Sequence, residues 1–191
     1  PVPAEDRTIH FRANSSHGSS SAWTSITDLT TTGRAARVSI AATGNYVYVA
    51  WTDADSGKIM LAISPDHGAS WLPFVTVGTT DRPADDYGYA AGATVAGAGV
   101  NVAVAWLMDG DTVHAVVSTD HGTTFGADKT LSPGPDGNLS AAASGGRIAL
   151  AYSNESGVAV RVWSNGTWGR ARGVAGFDMG ATYKHPGFGT S

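Results

Sequence analysis

The chain has 191 residues, a formal charge of −4 from 12 basic and 16 acidic side chains, 42% hydrophobic residues and only 15% charged ones. That much apolar content with so little charge excludes a disordered chain, and the scattered basic residues leave no footprint for nucleic acid. Cysteine is absent, which excludes disulfides, thiolate metal sites and a cysteine nucleophile.

With 25 glycines, three lysines and about a fifth of the chain Ser plus Thr, the sequence is poor in helix formers and rich in turn and strand formers. An all-β protein is expected. In chain order, residues 7–11 and 25–29 read as two strands, then 37–42 and 46–51 as the next pair. The turn Asp53-Ala54-Asp55-Ser56-Gly57 leads to a strand at 58–63, and a second turn leads to a strand near 74–77. The following unit repeats this at 93–96, 100–106, 112–117 and 128–131. A further unit uses 139–143, 147–152, 158–163 and a strand near 172–175. Residues 181–186 resemble one more first strand. These runs are short, apolar and partly alternating, as strands buried on at least one face should be.

Two elements repeat along this order. Tyr46-Val47-Tyr48-Val49-Ala50-Trp51, Val100-Asn101-Val102-Ala103-Val104-Ala105-Trp106 and Arg147-Ile148-Ala149-Leu150-Ala151-Tyr152 all end in Ala plus an aromatic ring. Ser64-Pro65-Asp66-His67-Gly68-Ala69-Ser70-Trp71 recurs as Ser118-Thr119-Asp120-His121-Gly122-Thr123-Thr124-Phe125. A weaker copy begins at Asn14-Ser15-Ser16-His17-Gly18, and a shortened one is Ser164-Asn165-Gly166-Thr167-Trp168. Their glycines fall at 18, 68, 122 and 166. Four strands per unit at this spacing is a β-propeller pattern of four-stranded antiparallel blades. The expected division is a single partial propeller domain over 1–191, with units at about 1–32, 33–78, 79–131, 132–175 and 176–191. The first and last are incomplete, so about three blades are whole.

The eight-residue pattern Ser-x-Asp-x-Gly-x-Ser/Thr-Trp/Phe resembles the Asp-box, or bacterial neuraminidase repeat, of sialidase-like β-propellers. The resemblance covers nearly the whole chain at the level of fold. It implies a structural role for Ser64, Asp66, Gly68 and Trp71 and for Ser118, Asp120, Gly122 and Phe125. The residue chemistry agrees: Ser and Asp bond the turn backbone, glycine supplies positive φ, and the aromatic ring anchors the hairpin. His17, His67 and His121 fill one slot of successive boxes. Equivalent turns on successive blades lie too far apart to share an ion whose ligands sit at about 2 Å, so they read as exposed turn residues.

Sialidases of this family use three arginines on the substrate carboxylate, a Tyr/Glu nucleophilic pair and an Asp acid. Their early Phe/Tyr-Arg-Ile-Pro motif is missing, and Arg37-Val38-Ser39 is only a faint echo of it. Arg37, Arg82 and Arg147 are the arginines nearest inner-strand positions, and a surface role suits each equally. The loop from Thr80 to Tyr89 is the most chemically loaded segment. Asp81, Arg82, Asp85, Asp86 and Tyr87 form its candidate catalytic group, by acid–base work or by gripping a sugar. A solvated acidic loop is the plainer reading. Tyr183 and His185, with Arg37, are candidate ligand-binding residues, against ordinary strand packing. No cofactor is required. Asp53-x-Asp55-x-Gly57 and Asp109-Gly110-Asp111 resemble fragments of calcium loops; two carboxylates each fall short of six to eight oxygens, so turn chemistry is the simpler reading and a calcium ion at either place the alternative.

The expected function is a secreted or cell-surface propeller that binds or acts on carbohydrate, as a sialidase-like hydrolase would. The alternative is a non-catalytic surface or assembly module. A complete catalytic set cannot be assembled from this chain. Expected partners are a glycan or other extracellular ligand, and either the remainder of a longer propeller or another copy of the chain. Neither nucleic acid nor a membrane span is expected, since no apolar run approaches about 18 residues.

Overall fold

The computed structural model describes residues 8–16, 21–30, 35–81, 92–108, 112–133, 135–154 and 157–174. All regular elements among them are strands, so no helix there is long and apolar enough to cross a membrane. β1 (His10–Phe11) and β2 (Thr27–Asp28) form an antiparallel pair. β3 (Ala35–Thr43), β4 (Tyr46–Asp53), β5 (Lys58–Ser64) and β6 (Val75–Thr79) make the first full sheet, each strand pairing with the next. β7 (Thr94–Ala98), β8 (Asn101–Met108), β9 (Thr112–Ser118) and β10 (Lys129–Pro133) repeat that order in the second. The third contains β11 (Pro135–Ser144), β12 (Arg147–Asn154) and β13 (Gly157–Ser164). Its outer position is split between β14 (Thr167–Trp168) and β15 (Arg172–Gly173), both paired with β13.

The expected strands as far as β15 are therefore present in order, with small shifts, and the one expected at 181–186 lies outside the described residues. Phe74 falls outside β6 and instead sets its ring edge-on to Trp51, centroids 5.5 Å apart. The turn glycines explain the tight hairpins. Gly44, Gly99 and Gly145 all take positive φ between the first two strands of their sheets, where a side chain would be strained.

The core lies between successive sheets rather than inside one. Tyr48, Ile59 and Leu61 of the first sheet pack with Val102, Val104 and Trp106 of the second. Leu107, Val113 and Leu131 of the second pack with Leu150 and Tyr152 of the third. Ile9, Phe11 and Leu29 of the N-terminal pair pack with Val49 and Trp51. Both faces of the middle strands are thus covered, which is why β4 and β8 read as nearly continuous apolar runs. The Ala-aromatic ends bolt neighbouring sheets together. Trp106 Nε1 donates to the Thr79 carbonyl at 3.0 Å, and Thr80 Oγ1 donates to the Leu107 carbonyl at 2.8 Å.

Strands β3, β7 and β11 lie side by side at one edge of the stack. The Val95 amide donates to Ser39 Oγ at 3.2 Å, and the Gly99 amide to Thr43 Oγ1 at 2.9 Å. The sheets therefore fan outward from their first strands.

Candidate functional site

The first strands meet at a cavity of about 380 Å³. Its hydroxyls stand in one register. Ser39 lies opposite Ala50, Thr94 opposite Ala105, and Ser140 opposite Ala151. Each alanine precedes the aromatic residue of its motif, so the repeated Ala-aromatic pair fixes the level at which a hydroxyl reaches the cavity. Gly92, Ala93 and Leu139 complete the wall with Arg37 and Val38.

Among the described residues, Arg37 is the one ionisable side chain in that lining. The β3–β4 register slips between Ala36 and Ser39, and Arg37 takes φ 47° at the slip. A non-glycine residue in this region costs about 1–2 kcal/mol, and such strain gathers at functional sites. The bulge turns the exposed Arg37 toward the cavity instead of leaving it in the strand's alternation. Two residues before each aligned hydroxyl stand Arg37, Gly92 and Asn138, so the repeat places a cation in one sheet only. Among the described residues, one guanidinium beside three hydroxyl residues, with no carboxylate in the wall, suits a polar ligand carrying negative charge.

The other sequence-derived candidates lie elsewhere. Asp81 is exposed just beyond β6. Arg82, Asp85, Asp86, Tyr87, Tyr183 and His185 lie outside the described residues, as do Asp109 and Asp111. The loop that holds the first four of these runs in sequence straight into Gly92 of the cavity wall. Arg147 is exposed opposite Ser144, at the closed end of the β11–β12 hairpin, so it belongs to a turn and not to the cavity. Sequence reasoning missed Ser39, Thr94, Ser140 and Gly92. The signal was available, because pairing back from the Ala-aromatic motif selects the three hydroxyls.

The eight-residue turns have a common geometry. Ser64 Oγ donates to Asp66 Oδ1 at 2.8 Å and accepts from the Gly68 amide at 2.7 Å. Asp66 accepts the Ser70 amide at 2.7 Å and the Ser70 hydroxyl at 2.5 Å. Ser118, Asp120, Gly122 and Thr124 reproduce the set at 2.6–2.9 Å. Hydrogen bonds from Ser70 and then Ser64 bring the Asp66 carboxyl down to about 2, and Thr124 and Ser118 do the same for Asp120. These carboxylates are spent on their own turns.

The histidine slot has a use beyond exposure. His67 and His121 both take positive φ, 59° and 58°, just before the turn glycine. His67 is exposed, but His121 is half-buried and stacks on Tyr46, centroids 4.0 Å apart. Trp71 meets Phe11 edge-on at 5.0 Å, so that ring links neighbouring sheets. At the calcium-like turn, Asp53 Oδ1 accepts the Asp55 and Ser56 amides at 3.0 and 3.2 Å, which is turn chemistry.

No protein-family profile matches the chain, and no curated protein matches it. Solved structures do. A variant of the NanB sialidase from Streptococcus pneumoniae is similar at TM-score 0.56 and 16% identity, over 81% of this chain and 26% of that one. An Aleuria aurantia lectin variant bound to Fucα1-6GlcNAc is similar at TM-score 0.53 and 15% identity, over 89% of this chain and 55% of that one. A variant of AofleA from Arthrobotrys oligospora is similar at TM-score 0.51 and 14% identity, over 80% of this chain and 47% of that one. The chain thus spans about a quarter of the sialidase and about half of the other two chains. At these identities the likeness is one of fold, and the fold is that of a β-propeller.

Proposed function

We propose that this chain is part of an Asp-box β-propeller that binds carbohydrate at the cavity formed by β3, β7 and β11. Arg37 meets an anionic substituent of the sugar, and Ser39, Thr94 and Ser140 meet its hydroxyls. The observation that carries the reading is Arg37 itself, held at φ 47° on a bulge that turns it into the cavity. Support comes from the similar structures, which include a sialidase and a lectin bound to a fucosylated saccharide. Each full sheet is read as one blade, within the unit boundaries drawn above from the repeat.

Binding is favoured over hydrolysis because no carboxylate lines the cavity among the described residues. Asp81, Arg82, Asp85, Asp86 and Tyr87, from the segment that precedes Gly92 in sequence, stay proposed contributors, as do Tyr183 and His185. An extracellular or cell-surface setting suits a glycan ligand. Further strands belong beside the β1–β2 pair, where Phe11, Ile40, Ala42 and Val47 line a largely apolar gap of about 620 Å³. The remainder of a longer propeller, or another copy of the chain, supplies them.

Calorimetric titration with sialylated and uronate-bearing oligosaccharides tests the site. Binding should be saturable and should fall about tenfold in Arg37→Gln, the loss expected for one charge-assisted contact. Binding that ignores this substitution would remove the cavity from the account. Turnover of a fluorogenic sialoside by the wild-type chain would move the reading from binder to hydrolase.

A further inference from the structure

Successive sheets are sealed at their outer turns in two places and left open in a third. At the first boundary Gly68 lies against the ring of Phe11, with no room for a side chain. At the second, a β-carbon on Gly122 would lie 2.7 Å from Ile63 Cδ1. Both turns have eight residues, whereas the third, Ser164–Trp168, has five. Asn165 and Gly166 keep the paired positive φ, 50° and 82°. Yet a β-carbon on Gly166 would meet nothing within 4 Å. Trp168 still packs on the core shared with the second sheet, but the Gly166 tip of the shortened turn does not reach it, and a cleft of about 460 Å³ stands between β9–β10 and β13–β14.

The lining of that cleft is specific. Trp168, half-buried and paired across β13 and β14 with the buried Trp163, supplies indole surface. Lys129 and Arg161 supply positive charge, Thr130 and Thr167 supply hydroxyls, and no carboxylate is among the described lining residues. Asp128, next to Lys129, is already engaged by His114 Nδ1 at 2.8 Å. One terminal nitrogen of Arg161 donates to the Gly169 carbonyl at 3.1 Å, which braces the guanidinium against the turn. Arg161 Nε and Trp168 Nε1 are enclosed with no acceptor. Trp71 Nε1, His121 Nδ1, Tyr152 OH and Ser153 Oγ are enclosed in the same way, but Arg161 and Trp168 are the two of these residues that line this cleft.

We propose that this cleft is a second carbohydrate site, specific for a pyranose bearing a carboxylate or sulfate. The inference rests on the reading of the chain as a carbohydrate-binding propeller, and concerns a different blade boundary. The sugar's apolar face lies on the Trp168 indole, and its anionic group faces Lys129 and Arg161, which no acidic residue among the described lining neutralises.

The test is an NMR titration of the indole N–H resonances, with the Trp168 signal assigned by Trp168→Phe. The probes are methyl glucuronide, methyl glucoside 6-sulfate and neutral methyl glucoside. At least one acidic probe should shift the Trp168 resonance saturably, and the two acidic arms tell carboxylate from sulfate. Lys129→Gln, at an exposed position, should weaken that binding about tenfold, and Lys129→Arg should restore it. Equal binding of the neutral glucoside overturns the assignment of charge. No saturable shift with either acid up to about 20 mM, well above millimolar affinity, overturns the site. Calorimetric binding that Arg37→Gln weakens, with a silent Trp168 resonance, would leave the Arg37 cavity standing and remove this one. Silence in both experiments would remove both.

Discussion

Gly92 makes room for Arg37. A β-carbon built on Gly92 would lie 2.8 Å from Cδ of Arg37 and 3.3 Å from its Cβ. Arg37 lies in β3 and Gly92 just before β7, its neighbour in the fan, and the arginine takes up space that any larger residue would claim.

Gly92→Ala should therefore act on the arginine more than on the fold. The shorter contact is with the flexible part of Arg37, which can swing away at little cost. Ligand affinity at the cavity should fall about tenfold, as in Arg37→Gln. The melting temperature should move by about 3 °C or less, the range of a sub-kilocalorie change. A thermal scan beside the titration checks both. Large destabilisation with intact binding would show that Gly92 serves backbone packing instead.

Arg37→Gly should separate stability from binding. Glycine at φ 47° relieves about 1–2 kcal/mol of left-handed strain. Extra freedom of the unfolded chain offsets about 0.5–1 kcal/mol of that gain. Urea unfolding should show a net stabilisation of about 0.5 kcal/mol while glycan binding is lost. A protein destabilised by more than about 1 kcal/mol would identify Arg37 as a packing anchor, since strained functional residues are those whose removal stabilises.

The turn carboxylates set an acid limit. Asp66 and Asp120 are held at about 2 by hydrogen bonds, below the 3.8 of a free aspartate. Their lowered values mean that the unfolded chain binds protons first. The stability they contribute is present above about pH 4 and is lost as pH falls through about 2. The unfolding midpoint in urea should fall across that window. In Asp66→Asn/Asp120→Asn the same part of the profile should flatten. An unchanged slope in the double variant would mean that other carboxylates control acid unfolding.

The fold was more legible than the site, and the repeat explains why. Trp51, Trp106 and Tyr152 end the middle strands and fill the spaces between sheets, so hydrophobic burial had to be written into each unit. Asp66 and Asp120 bond within their own turns, so eight consecutive residues sufficed to read them. Arg37 faces Gly92, fifty-five positions away. Nothing local to either residue shows that pairing, and the slip that aims Arg37 is visible only in register. The cleft at Trp168 was equally hidden. Its sign is the missing length of a turn, which matters only once the neighbouring sheet is in place.

The contact between turn and neighbouring sheet can be isolated with two glycines of one sheet. Gly122 and Gly99 both take positive φ, 86° and 60°. Alanine at either position brings backbone strain of about 1–2 kcal/mol. A β-carbon on Gly99 would meet nothing within 4 Å, whereas one on Gly122 would lie 2.7 Å from Ile63 Cδ1. Ile63 is buried at 4% exposure and packs in the core between the first and second sheets, so it has little room to yield. Overpacking there adds about 1–3 kcal/mol. Gly122→Ala should therefore unfold at lower urea than Gly99→Ala by that added amount, with Gly122→Ala/Ile63→Val recovering part of it. Equal midpoints for the two single variants would show that the turn's backbone conformation, and not its seat on the preceding sheet, is what the glycine protects.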